Sequence, residues 1–323
     1  MNKRLPYLDV AKGLLIILVL IHHLPHVMFI SGIKDNGLYN GIDDADYFYR
    51  PYFMPAFFFI TGYCTRFKFD YNFFVKNIKS LIVPSFILGF ICKLITNFSV
   101  ETLYSYIKFF IITGGSYWFI TSLFICKIAF VSLMNYKHIS LICPILGFLF
   151  HIYELPNPYY LHQSLFLIVF IYLGDYFKGR LHCIVNKRNM ILCSLIYVIT
   201  VLLIFNQIIP SITMVINIGS LFDTLLFILL AITGICIIIN ISYYIQNNTL
   251  LIYIGKNTII IYMFHILIYT MLVNVLHISL VQNTEVQTSL LLFISILLVT
   301  LIYCCFIAHC LNLRYLKFII GKF

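Results

Sequence analysis

Near the start of the chain a lysine and three histidines interrupt the apolar run LDVAKGLLIILVLIHHLPHV, residues 8–27. Lys12 and His23 are eleven residues apart, which on an α-helix is three turns plus about 20°. Both side chains therefore point the same way, ~16.5 Å apart along the axis. His26 shares the face of His23, whereas His22 is turned about 100° from it. Asp9, three residues before Lys12, is placed to pair with it and lower the cost of a cation at a membrane boundary. A histidine can take a proton near neutral pH, which is what activating a sugar hydroxyl requires. A cation three turns away suits the anionic part of a donor whose reactive end reaches that histidine. The plainer alternative is that Lys12 extends to the headgroups and the histidines bond to neighbouring helices. That alternative accounts better for His22 and His26 than for Lys12 and His23 together, since a helix that only anchors has no reason to align a cation with a histidine deep in the membrane. A zinc site built from His22, His23 and His26 is disfavoured, because His22 and His23 diverge and no carboxylate–histidine cluster completes the set.

The elements that position these groups follow from composition. With 62% hydrophobic and 10% charged residues over 323 positions and a mean hydropathy of +1.00, the chain exceeds what a soluble core can use. Apolar stretches of bilayer length recur from end to end, and isolated helices satisfy their own backbone in lipid. The expectation is an all-α polytopic membrane helix bundle with about ten spans: 10–29, 52–66, 80–97, 117–134, 139–154, 163–177, 190–208, 220–240, 257–278 and 288–310. The stretch 101–113, with Glu101 and Lys108, reads as an interfacial helix, with a poor eleventh span as the alternative. Ten spans put both termini on one side. Lys3, Arg4, Lys12, Arg66, Lys68, Lys76, Lys79, Lys137, Lys178, Arg180, Lys187, Arg188, Lys256, Arg314, Lys317 and Lys322 fall on that side, which assigns both termini to the cytoplasm. The opposite loops carry only Lys34, Arg50 and Lys108 but hold Asp35, Asp43, Asp44, Asp46, Glu101, Glu154 and Glu285. The net charge of +10 is thus mostly a topology signal and needs no nucleic acid partner. The first helix lacks a small-residue cleavage site and is expected to stay. The ten cysteines, scattered and without a Cys-x-x-Cys pair, read as apolar packers. The whole of 1–323 reads as a single membrane domain, its largest extracytoplasmic loop at about 31–51.

Further motifs accompany the Lys12–His23 pair. Lys12 is followed by Gly13; FMPAFFFITGYC holds Met54, Pro55, Phe57, Phe58, Phe59, Thr61 and Gly62; KNIKSLIVP sets Lys76 and Lys79 ahead of Pro84; YWFITSLF surrounds Trp118; and GKNTIIIYMFH ends at His265. In order and spacing these resemble the acyltransferase-3 family of integral-membrane O-acyltransferases, over residues 8 to 265. The resemblance implies transfer of an acyl group, usually acetyl from acetyl-CoA and without a metal, to hydroxyls of envelope polysaccharides or their lipid-linked precursors. By the same analogy His23 acts as catalytic base or transient acyl carrier. Lys12, Lys76 and Lys79 then hold the CoA phosphates at the cytoplasmic mouth. Many relatives carry arginine where this chain has those three lysines, and lysine keeps the charge but loses the planar fork that suits phosphate. The soluble C-terminal hydrolase-like domain of some relatives is not expected, so transfer is completed by the membrane domain or with a partner.

Asp9, His26, Trp118 and His265 are the remaining candidates for lining the site. Trp118 also reads as an interfacial anchor and His265 as a satisfied interhelical histidine. Asp175 and Asp223 read as solvated or helix-capping, and Lys76 and Lys79 are equally explained by topology alone. Two other functions compete with acyl transfer: a transporter or flippase, which paired broken spans in two similar halves would favour, and a non-catalytic subunit of a polysaccharide assembly.

Overall fold

The structure, a computed structural model, describes residues 5–30, 48–96, 100–115, 117–209, 219–277 and 286–313. The expected loop at about 31–51 and its acidic cluster lie, over 31–47, outside the described residues. Among the described residues there are thirteen α-helices and no strand. In chain order they are α1 (Pro6–Ile30), α2 (Arg50–Cys64), α3 (Tyr71–Asn77), α4 (Val83–Thr96), α5 (Val100–Thr113), α6 (Trp118–Ser132), α7 (Cys143–Ile152), α8 (Leu161–Tyr176), α9 (Lys187–Phe205), α10 (Leu221–Tyr244), α11 (Thr249–Lys256), α12 (Thr258–His277) and α13 (Val286–Leu311). Between α3 and α4 the helix widens into a π turn, Ile78–Ile82. Pro84 follows it and lacks an N–H, which loosens the ladder at that point.

The protein is an all-α, multi-pass membrane bundle. Six segments of the described residues are long and apolar enough to cross a bilayer: Pro6–His26, Tyr71–Ile95, Leu103–Ser132, Lys187–Phe205, Leu221–Tyr244 and Leu290–Leu311. The pair α11 and α12, bent by 82° at Asn257, makes a seventh. Of the ten stretches expected from hydropathy, those at 52–66, 139–154 and 163–177 become α2, α7 and α8, with 15, 10 and 16 residues. Each is shorter than the ~20 residues that cross 30 Å of hydrocarbon. In α2 and α8 ten residues apiece are buried. Such helices are solvated by protein on most sides and need not match the lipid thickness.

The helix α1 is the hub. It packs against α2, α10, α11, α12 and α13, burying Leu8, Ala11, Leu15, Ile16, Val19, Leu20 and Leu24. It runs antiparallel to α2: His22 meets Phe53 at one end, with ring centroids 5.8 Å apart, while Tyr7 feels Tyr63 at the other. The closest approach is to α11, an eight-residue helix that hydropathy alone does not reveal. A Cβ on Gly13 would overlap the Leu251 carbonyl, and one on Gly255 would overlap the carbonyl of Asp9. Two facing glycines let the backbones touch, the contact by which small residues join membrane helices. At the corner after α11, Asn257 donates to the Tyr253 carbonyl at 2.9 Å and accepts from Asn312 Nδ2 at 2.9 Å. The end of α13 therefore holds the bend between α11 and α12.

Candidate active site

Two cavities border α1. The smaller, about 230 Å³, is lined by Lys12, Met54, Phe57, Phe119, Lys256 and Tyr262, among others. Lys12 Nζ lies 2.6 Å from Asp9 Oδ1, and the Asp9 side chain is only 5% exposed. Burying that carboxylate is costly without a cation, so Asp9 fixes the lysine at the cavity wall. Lys256 ends α11, and the corner at Asn257 turns the start of α12 into the same space: Thr258, Ile259 and Ile260 all line it. The first N–H groups of a helix have no intrahelical acceptor and carry partial positive charge. Two ammonium groups and a helix N-terminus converge on this cavity, a setting that suits phosphate.

The larger cavity, about 650 Å³, is lined by His23, His265, Trp118, Tyr117, Tyr262 and Lys93. His23 stands between two other imidazoles, its ring centroid 4.8 Å from that of His22 and 5.1 Å from that of His265. His265 is 1% exposed, and its Nδ1 is 2.7 Å from the Tyr262 carbonyl oxygen. A carbonyl only accepts, so Nδ1 carries the proton and Nε2 presents a lone pair. That buried Nε2 has no hydrogen-bond partner among the described residues. Tyr262 lines both cavities. It is held by an edge contact to Phe119 at 5.3 Å and lies one turn from His265 on α12. Lys12 and His23 thus open on separate chambers that share the Tyr262 wall.

A family model for the acyltransferase domain, acyltransferase-3, matches residues 5–309. The chain belongs to the acyltransferase-3 family. No curated protein and no solved structure matches it. It is a membrane acyltransferase, and the expectation carried by its motifs holds at that level.

Within this acyltransferase the sequence-expected residues separate into those the fold gathers and those it does not. Lys12, Asp9, His23, His265 and Trp118 come together along the two chambers. His26 is exposed and lines neither cavity, although it lies within electrostatic reach of His23. Lys76 and Lys79, at the end of α3 and in the π turn, are exposed and line neither cavity. Lys76 lies close to Lys127, whose Nζ is 5.9 Å from the centroid of the Phe73 ring. Lys127 follows Leu123, a residue of the smaller cavity, by one turn on the same face of α6. Asp223 lies in the first turn of α10, where its N–H donates to the capping Ser220 hydroxyl at 3.1 Å and its Oδ2 accepts from the Gly219 N–H at 3.0 Å. Asp175 pairs with Lys137 at 3.0 Å and Lys178 at 2.6 Å. Among the described residues no group of three or more His, Cys, Asp or Glu could hold a metal ion.

Lys256 and Tyr262 went unnoticed as site residues in sequence reasoning, though both sit in the GKNTIIIYMFH segment. The signal available was Gly-Lys-Asn-Thr, a helix end followed at once by a helix start.

Proposed function

We propose that the enzyme moves an acetyl group from acetyl-CoA to a hydroxyl of an envelope polysaccharide or its lipid-linked precursor. The supporting observation is that the phosphate-suited chamber at Lys12 and the histidine chamber at His23 meet at Tyr262. On this reading that chamber, and both termini, face the cytoplasm at the cell's inner membrane, which the excess of positive residues at the Lys12 end supports. Phosphate oxygens of the donor pair with Lys12 and Lys256 and with the first N–H groups of α12, and Lys76, Lys79 and Lys127 add positive charge at the approach. The pantetheine arm passes Tyr262 and sets the thioester beside His23. The acceptor hydroxyl oxygen attacks the thioester carbonyl as His23 takes its proton. The tetrahedral intermediate collapses with loss of the C–S bond, and the proton passes from His23 to the departing thiolate. His265, whose ring centroid lies 5.1 Å from that of His23, packs against the base and positions its ring.

Radiolabelled acetyl-CoA and purified enzyme in nanodiscs test this reading. Lys12→Ala and Lys256→Ala are each expected to raise the KM for acetyl-CoA about tenfold, the worth of one charge-assisted phosphate contact, with kcat changed less than about threefold. Unchanged KM in both variants would remove the smaller cavity from donor binding. No saturable acetyl-CoA binding by folded wild type, together with solute accumulation in vesicles lacking acyl-CoA, would replace acyl transfer by transport.

A further inference from the structure

Among the described residues Tyr262 alone lines both cavities. Its hydroxyl is hydrogen-bonded to the backbone of Phe119, the second residue of α6. The N–H groups of a helix's first turn have no intrahelical acceptor, whereas the carbonyls there accept from the next turn. The Phe119 N–H is therefore the donor and the tyrosine oxygen the acceptor. That N–H belongs to the peptide joining Trp118, which lines the larger cavity, to Phe119, which lines the smaller. The hydroxyl thus stands at the boundary between the two chambers.

Its own proton is uncommitted. Two other tyrosines line the larger cavity, and the hydroxyls of both donate to carbonyls, Tyr106 to Phe86 at 3.2 Å and Tyr117 to Met263 at 3.0 Å. The Tyr262 O–H has no such acceptor among the described residues. Accepting one hydrogen bond polarises a hydroxyl and strengthens the bond it gives. The ring is held in place, with centroids 5.3 Å from Phe119 and 5.8 Å from His265, and the residue is buried. The His265 ring in turn lies 5.1 Å from that of His23. A fixed donor with a spare proton, in the chamber of the base, is what negative charge developing on a substrate oxygen requires.

Resting on the reading that the donor thioester is set beside His23, we infer that Tyr262 is a second catalytic residue, the hydrogen-bond donor to the thioester carbonyl oxygen. As the acceptor hydroxyl oxygen bonds to the carbonyl carbon and His23 takes its proton, the C=O electron pair moves onto the carbonyl oxygen. The Tyr262 O–H donates to that oxyanion and keeps its proton throughout. When the C=O re-forms, the C–S bond breaks and the thiolate takes the proton held by His23. The bond from Tyr262 strengthens only as charge develops, which raises kcat rather than donor affinity.

The test uses membranes of cells that make this enzyme, which carry the acceptor, with the gene deleted and wild type or a variant restored at matched levels. Transfer of radiolabel from acetyl-CoA into glycan gives kcat and the KM for the donor. Tyr262→Phe keeps the ring and loses the hydroxyl. It should lower kcat about 100-fold and leave KM within about threefold. Fluorinated tyrosines placed at position 262 supply a second measurement that altered packing does not imitate. Their phenols are more acidic than that of tyrosine. The alkaline limb of the kcat profile, where the hydroxyl ionises and stops donating, should therefore move to lower pH in order of phenol acidity. An active wild type with an equally active Tyr262→Phe, an effect of Tyr262→Phe confined to KM, or an alkaline limb that fluorination leaves in place would each overturn this role alone. Wild-type membranes that transfer no label from acetyl-CoA would instead overturn the donor reading, and this role with it.

Discussion

Replacing His23 with alanine should lower acetyl transfer by roughly 10³-fold while acetyl-CoA binding stays within about threefold of wild type. On the proposed mechanism the imidazole does two things at once, taking the hydroxyl proton and returning it to the leaving thiolate, and alanine can do neither. Binding survives because the lysines of the smaller cavity are about three turns away, and nothing in the change from His23 to alanine moves them. His265→Ala separates the general base from its support. It should reduce kcat by a smaller factor, roughly 10- to 100-fold, and displace the pH profile, since the imidazole packed 5.1 Å from the His23 ring is gone. His265→Gln, which keeps a polar side chain of similar length packed against His23, should restore part of the rate. The measurement is radiolabel transfer at saturating donor, with expression and monodispersity matched. Normal turnover by a well-folded His23→Ala protein would sink the assignment.

The second large effect is structural. Gly255→Val places a Cβ where the Asp9 carbonyl already lies, and both atoms belong to backbones that cannot swing aside as a side chain can. The helices α1 and α11 must separate, at a cost of about 3 kcal/mol or more. The separation also draws Lys256 away from Lys12, so the variant should lose donor affinity in whatever fraction remains folded. Gly219→Ala is the control: among the described residues a Cβ there meets only Asp223 Oδ2, at 3.6 Å, and the substitution should leave the melting temperature in detergent nearly unchanged. Equal melting temperatures for Gly255→Val and wild type would show that the two backbones are not locked together.

Much of this architecture is legible in the sequence because hydropathy and helix phase are local properties. The Asp9–Lys12 pair follows from positions three residues apart, whereas the eleven-residue spacing of Lys12 and His23 does not reveal that they open on different cavities. Trp118 and His265 could be named as candidates from motif context, but not placed: their meeting with His23 joins residues 95 and 242 positions apart, and no local rule fixes such a distance. Lys76 and Lys79 show the opposite limit. Charge asymmetry sorts residues between the two ends of a bundle, yet says nothing about radial position, and these two stand outside the chambers that Lys12 and Lys256 line. The helix α11 escaped notice because eight residues carry no crossing signal, and α2 and α8 looked like ordinary spans because burial by protein and burial by lipid leave the same apolar imprint on a sequence.

The corner at Asn257 links distant parts of the chain. Asn312, the residue after α13, reaches it, so a corner that lines the smaller cavity is held by a residue 55 positions away. An enzyme cut just before Asn312 would keep its histidines, its aromatic chamber and nearly all its apolar mass, yet would release the hinge that aims the start of α12. Tags, fusions and shortened variants at this end of the chain are therefore not neutral handles: their first symptom should be a weakened grip on the nucleotide, well before any change in the chemistry at His23.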